Sequence, residues 1–109
     1  MQISVTGRHV RVTDEVKAYA ADKAGKLPRF YDRVQAIEVI LDQEGDDFTV
    51  DMIVSADGKN HFIAHEAGPD TFALIDLIVD KLERQLRRHK ERFRNRKHPA
   101  KGTDKFETP

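Results

Sequence analysis

The chain has 109 residues, enough for one compact domain with a modest core and too few for two. A composition that is 39% hydrophobic and 35% charged leaves much of it solvated or reserved for a partner, and the absence of Cys excludes disulfides, thiolate nucleophiles and cysteine-ligated zinc while fitting a reducing compartment. Formal net charge is zero, no apolar run approaches the ~18 residues of a membrane helix, and the N-terminus lacks the charged-then-apolar pattern of a signal peptide, so a soluble, cytoplasmic protein is expected.

Gln2 to Thr6 alternates with period two and stops at Gly7, which predicts a half-buried strand. Thr13 or Asp14 then supplies an N-cap, with Asp14 and Glu15 in the first turn where the helix dipole favours negative charge. Val16, Tyr19, Ala20 and Leu27 follow at spacings near 3.6, predicting a helix over about 14–27 that Pro28 closes. From Val34 to Gln43 the β-branched content rises, with Ile37, Val39 and Leu41 on one face of a second strand. The polar run Glu44 to Asp47 reads as a turn, and Phe48, Val50, Met52 and Val54 alternate with polar residues as a third strand. Asp57-Gly58 suits a two-residue hairpin turn, so His61 to Glu66 returns antiparallel as a fourth. After Gly68-Pro69, Asp70 can cap a helix on which Phe72, Ile75, Val79, Leu82, Leu86 and Phe93 share one side. That helix runs roughly 25 residues, about 40 Å at 1.5 Å per residue, and its apolar stripe thins after Leu86, so its last turns should leave the core as a basic rod. Residues 97–109 form a short polar tail, expected to be disordered, after a domain of residues 1–96. The order strand, helix, three strands, helix predicts an α+β two-layer sandwich, β-α-β-β-β-α. Both helices cover one face of a four-stranded mixed sheet.

The zero net charge conceals a division along the chain. Residues 1–80 hold eight Lys and Arg against fifteen Asp and Glu, a net −7, whereas residues 81–109 hold eleven against four, a net +7. Lys81, Arg84, Arg87 and Arg88 form a ridge at i+3 and i+4 spacing, with cations ~5–6 Å apart at Cβ, and such a ridge repels itself unless phosphates intervene. Arg92 lies toward one flank of it, and Lys90 and Arg94 flank the other. The bland alternative is a solvated face with pairs such as Glu83 to Arg87; the excess of positive charge favours a polyanion. Lys23, Lys26, Arg29 and Arg33 cluster at the end of the first helix, where the dipole alone also favours cations. If the helices pack side by side, this cluster widens the ridge into a surface. Phe30 and Tyr31 at that corner either stack on bases or seal a core.

Other chemistry finds little support. His61 and His65 share a strand face about 13 Å apart at ~3.3 Å per residue, too far for one metal ion, and His9, His89 and His98 have no carboxylate or histidine at ligand spacing. Asp42, Glu44, Asp46, Asp47 and Asp51 make an acidic hairpin end without the ligand pattern of a calcium loop. No catalytic triad, nucleotide-phosphate loop or carboxylate pair emerges, so neither an enzyme nor a cofactor is expected.

The stretches MQISVTGRHVRVTDEVKAYAADKAGKL, FYDRV and above all DTFALIDLIVDKLERQLRRHKER resemble the ribosome hibernation promoting factor family, over roughly residues 1–93. The most specific part is Ile75-Asp76 followed by Asp80 to Leu86. The resemblance implies the same β-α-β-β-β-α fold and a stress or stationary-phase factor. Such a factor binds the small ribosomal subunit and its ribosomal RNA, within whole ribosomes, in the channel of messenger and transfer RNA near the decoding centre. It blocks initiation and protects idle ribosomes. Family contacts come from basic residues of both helices. The matching positions here are Lys23, Lys26 and Arg29 on the first, and Lys81, Arg84, Arg87, Arg88, Lys90 and Arg92 on the second. Two departures are Glu66-Ala67 in place of an Ala-Glu order and Phe72 in place of Tyr. The chain ends before the second domain of long members and so resembles a short form, expected to be a monomer when free. The rival readings are a general structured-RNA-binding module and a protein-interaction domain whose charged helix meets an acidic partner.

Overall fold

Period-two alternation becomes four strands in the computed structural model, which describes the backbone of residues 1–97 and the side chains of residues 1–92. Strand β1 (Gln2–Gly7) leads into helix α1 (Asp14–Ala24) and a 3₁₀ turn (Leu27–Arg29), followed by β2 (Val34–Glu44), β3 (Asp47–Ala56), β4 (Asn60–Gly68) and helix α2 (Thr71–Lys97). The strands lie side by side in chain order. Strand β1 pairs parallel with β2, with Ile3 opposite Ile37 and Val5 opposite Val39, while the two hairpins make β3 and β4 antiparallel. The α+β sandwich expected from the sequence is the fold observed.

One sheet face carries Ile37, Val39, Leu41, Val50, Met52 and Val54, all buried under Leu74, Ile75, Ile78, Leu82 and Leu86 of α2 and Ala20 and Ala24 of α1. The small side chains of α1 let it lie close to the sheet. The other face, which no helix covers, presents Glu38, Ile40, Asp42, Asp51, Ile53, His61, Ile63 and His65 at alternate positions of β2 to β4. Ile63 is 59% exposed there.

The first helix ends three residues earlier than its apolar spacing predicts. Its last α-type bond runs from Gly25 N–H to the Ala21 carbonyl at 2.9 Å, after which Lys26 donates to Lys23 at 3.2 Å and the chain tightens into the 3₁₀ turn. Pro28 is the cause: it has no N–H for the Ala24 carbonyl, and its ring would press on that oxygen. Leu27 is still buried, so the apolar period continues although the α-helix does not. Between β3 and β4, Lys59 N–H closes on the Ala56 carbonyl at 3.2 Å, with Asp57 at φ +56° and Gly58 at φ +77° between them, as an Asp-Gly hairpin turn requires. The ladder resumes with Asn60 opposite Ala56, one residue before the expected start of the strand. Helix α2 reaches Lys97, the first residue of the expected tail; residues 98–109 of that tail lie outside the described residues.

Candidate nucleic-acid interface

The phase of α2 is set at its start and by its core. Asp70 Oδ1 accepts from Phe72 N–H at 3.0 Å, the N-cap expected there, and Leu82 and Leu86 face inward with no exposed surface. With 100° per residue, those two leucines place Arg84 and Arg88 on the outward side, both exposed. Lys90 and Arg92 are exposed as well, beyond Leu86, the last fully buried residue of the helix among the described ones. None of these four forms an ion pair among the described residues. Over residues 87–92, the part past Leu86 whose side chains are described, the expected basic rod is present with Arg87, Arg88, Lys90 and Arg92 exposed.

The remaining predicted cations of α2 are engaged. Lys81 turns toward the sheet edge and pairs with Glu66 on β4, while Gln85 Nε2 donates to the Ile63 carbonyl at 3.3 Å on the same edge. Arg87 turns the other way, bonding Glu83 at 3.0 Å and lying 4.9 Å over the Phe30 ring. This cation–π contact brings the 3₁₀ turn against α2, so the loop carrying Lys26 and Arg29 adjoins the ridge. Both Lys26 and Arg29 are exposed and without an ion pair among the described residues. Lys23 is half-buried and sits 3.4 Å from Asp76 of α2, whose carboxylate also accepts from Tyr19 Oη at 2.6 Å. These bonds to Asp76 raise the pKa of both the Tyr19 phenol and the Lys23 ammonium. The structure thus brings all nine predicted positions to the helical side of the sandwich. Six form no ion pair among the described residues, and Lys23, Lys81 and Arg87 hold structural partners.

Asp57 organises a cluster at the end of this surface. Its two oxygens accept from Tyr31 Oη at 2.8 and 2.7 Å, and Oδ2 also accepts from Asn60 Nδ2 at 3.1 Å and lies 3.2 Å from His89 Nε2. Arg33 approaches at 3.9 Å. The His89 ring packs edge-on against Tyr31 and Phe62, centroids 5.0 and 5.1 Å apart. Burial works to raise the pKa of Asp57, but the bonds from Tyr31, Asn60 and His89 outweigh it and hold the carboxyl below its usual value. Burial first, then the bond to Asp57, pushes the Tyr31 phenol up to about 12. Tyr31 is 3% exposed, so of the two corner aromatics it seals the core and has no face for a base.

Sequence spacing gave His89 no carboxylate, and the fold supplies one 32 residues away. The signal was present: His89 is the polar residue on the apolar side of α2 between Leu86 and Phe93, and a polar group on a buried stripe calls for a partner. His9 likewise meets Asp42 at 3.1 Å and His65 meets Asp51 across the β3–β4 ladder. Asp42 is held below its usual pKa, chiefly by Gln43 N–H, against a smaller opposing effect of burial and with His9 assisting. Among the described residues no group of three or more His, Asp or Glu is arranged to hold a metal ion. The uncovered sheet face has no Lys or Arg at its outward strand positions, so charge divides between the two layers.

The model of the family described as Sigma 54 modulation protein / S30EA ribosomal protein matches residues 3–94, nearly the whole sandwich. The chain belongs to this family. Among S30EA relatives, the ribosome hibernation promoting factor of Azotobacter vinelandii is 32% identical over 104 residues, covering 95% of this chain and 96% of that protein. The factor of the same name from Escherichia coli K12 is 33% identical over 94 residues, covering 86% and 98%. The N-terminal domain of Thermus thermophilus Protein Y superposes with a TM-score of 0.73 at 30% identity, over 82% of this chain and 99% of that domain. A ribosomal subunit interface protein of Coxiella burnetii has the same TM-score at 26% identity, over 84% and 99%. The resemblance read from the sequence is thus borne out, in family and in fold. No helix among the described residues is long and apolar enough to cross a membrane.

Proposed function

We propose that this protein is a ribosome hibernation factor of the cytoplasm, a non-catalytic inhibitor of translation. Its helical face docks on the small ribosomal subunit, in the channel of messenger and transfer RNA near the decoding centre, where it blocks initiation and protects idle ribosomes under stress. Residues 1–96 are the binding unit, monomeric when free. The contacts are Lys23, Lys26, Arg29, Lys81, Arg84, Arg87, Arg88, Lys90 and Arg92, with the six unpaired cations making the first phosphate contacts. The observation that carries this reading is the division of charge between layers: Arg84, Arg88, Lys90 and Arg92, without an ion pair among the described residues, project from one side, and the opposite sheet face has no Lys or Arg at its outward strand positions. The names of its relatives, two of them hibernation factors and one a subunit interface protein, supply the polyanion.

Such a surface reads phosphate positions on a folded RNA more than base sequence. Six phosphate contacts would give a slope of about −4 to −5 for the logarithm of the binding constant against that of salt. Sedimentation of the protein with purified ribosomes and small subunits on sucrose gradients tests the proposal, with co-migration at moderate salt as the expected result. Replacing Arg84, Arg87 and Arg88 together by Glu should abolish co-migration while leaving the circular dichroism spectrum unchanged. Equal binding to free duplex RNA would favour a general RNA-binding module, and indifference to RNA at physiological salt would favour an acidic protein partner.

A further inference from the structure

Past Leu86 the described part of α2 has little to hold it. Arg87, Arg88, Lys90, Glu91 and Arg92 are exposed, and four of these five are cations. Arg88 and Arg92, at i and i+4, repel each other, and a helix end without tertiary packing is marginal in water. Two side chains do hold it: Arg87 lies over the Phe30 ring at 4.9 Å on the exposed rim, and His89, 23% exposed, is packed between Tyr31 and Phe62 and set on the Asp57 carboxylate. Asp57 in turn belongs to the β3–β4 turn and bonds Tyr31, two residues beyond Arg29. One carboxylate therefore joins the loop that carries Lys26 and Arg29 to the helical turn that carries Arg88, Lys90 and Arg92.

We infer that Asp57 is a positioning residue for ribosome binding, clamping His89 and Tyr31 so that the two sets of cations keep a fixed spacing before any RNA arrives. The inference rests on the function proposed above. Asp57 touches no RNA itself: its side chain is 16% exposed, and Tyr31, Asn60, His89 and Arg33 surround it. A folded RNA offers phosphates at set positions, so cations held in the matching arrangement bind without a cost of ordering. A flexible polyanion adapts to whatever arrangement it meets.

This gives opposite signs for two ligands. Asp57→Gly adds one unit of positive charge, and glycine takes φ +56° without strain, so the turn is preserved. Charge counting alone predicts tighter binding to every polyanion. Positioning predicts that heparin binds Asp57→Gly as tightly as the unaltered protein or more so, while small ribosomal subunits bind it less tightly. If the two clusters are correctly spaced one-tenth of the time, the loss is about tenfold. His89→Ala should share the loss, and His89→Gln, which restores a donor, should recover most of it. Should Asp57→Gly lose the fold, Tyr31→Phe removes the hydroxyl that bonds Asp57 without changing the charge, so heparin binding should stay the same while subunit binding falls.

Labelled full-length protein titrated with purified small subunits and with heparin reads both affinities, and amide hydrogen exchange reads the clamp directly. Exchange over residues 87–92 should accelerate in Asp57→Gly while that over 74–82 stays slow. Subunit binding by the variant that equals or exceeds that of the unaltered protein overturns the inference, as does unchanged exchange at the helix end. An unaltered protein that binds no subunits overturns the proposed function instead, and the exchange comparison still decides whether Asp57 holds the helix.

Discussion

A carboxylate set into a basic face weakens binding of a polyanion unless its charge is spent inside the protein. Asp57 meets that condition, since its lone pairs are taken by a phenol, an amide and an imidazole and its pKa is depressed in the folded state. A depressed carboxyl pKa contributes stability that is present above the unfolded value, near 3.8, and is lost as pH falls through the lower folded value. Asp57→Asn, which keeps the turn and one acceptor oxygen, should therefore be less stable to urea than the unaltered protein at neutral pH. That difference should vanish under acid conditions below both values. A gap that persists there would assign the effect to the shape of the turn. The same distinction between spent and available charge separates the cations of α2. Arg84 and Arg88 face solvent alone, whereas Lys81 has to leave Glu66 before it meets a phosphate. Residue type shows which side chains are charged, and only the fold shows which charges are already used.

Helix α2 does two jobs with one backbone, covering the sheet with its first four turns and presenting cations with the rest. Leu86 stands at the junction, fully buried. Leu86→Ala should cost about 2–5 kcal/mol, read as a lower urea midpoint, because the rigid sheet beneath cannot collapse into the space left. A cost within experimental error would mean that the core ends at Leu82. The periodicities that revealed this helix and the four strands are local, and they served where structure is local: the Asp-Gly hairpin, the Asp70 cap and the inward faces of β2 and β3 all follow from neighbours in sequence. They failed in two places for physical reasons. A 3.6 spacing persists through Leu27 because burial needs only the right direction, whereas the hydrogen-bond ladder had already met Pro28. The Asp57 cluster joins residues 26 and 32 positions away, and no periodicity carries such a distance. The nine basic positions were legible, and so was the Glu83–Arg87 pair four residues apart on one helix, but the pairing of Lys23 and Lys81 was not, since it depends on Asp76 and Glu66 arriving from other elements.

At the scale of the whole molecule the two layers differ in charge as well as in architecture. Asp42, Glu44, Asp46 and Asp47 gather at one end of the sheet, around the β2–β3 turn, far in sequence from the basic helix. Changing them to Asn and Gln should raise binding to unstructured RNA such as polyuridylate at low salt, with little change in binding to small subunits. No rise would leave these carboxylates a role in solubility alone. Their arrangement has a further consequence for how the protein arrives. With 19 cations and 19 anions the chain has no net charge, so a distant polyanion exerts almost no pull on it, but the separation of charge between layers gives that polyanion a torque to apply. Approach is then a matter of turning first and being drawn in second. On the function proposed above, a molecule that meets RNA sheet-first would present carboxylates and drift away, and one that has swung its helices forward would be captured.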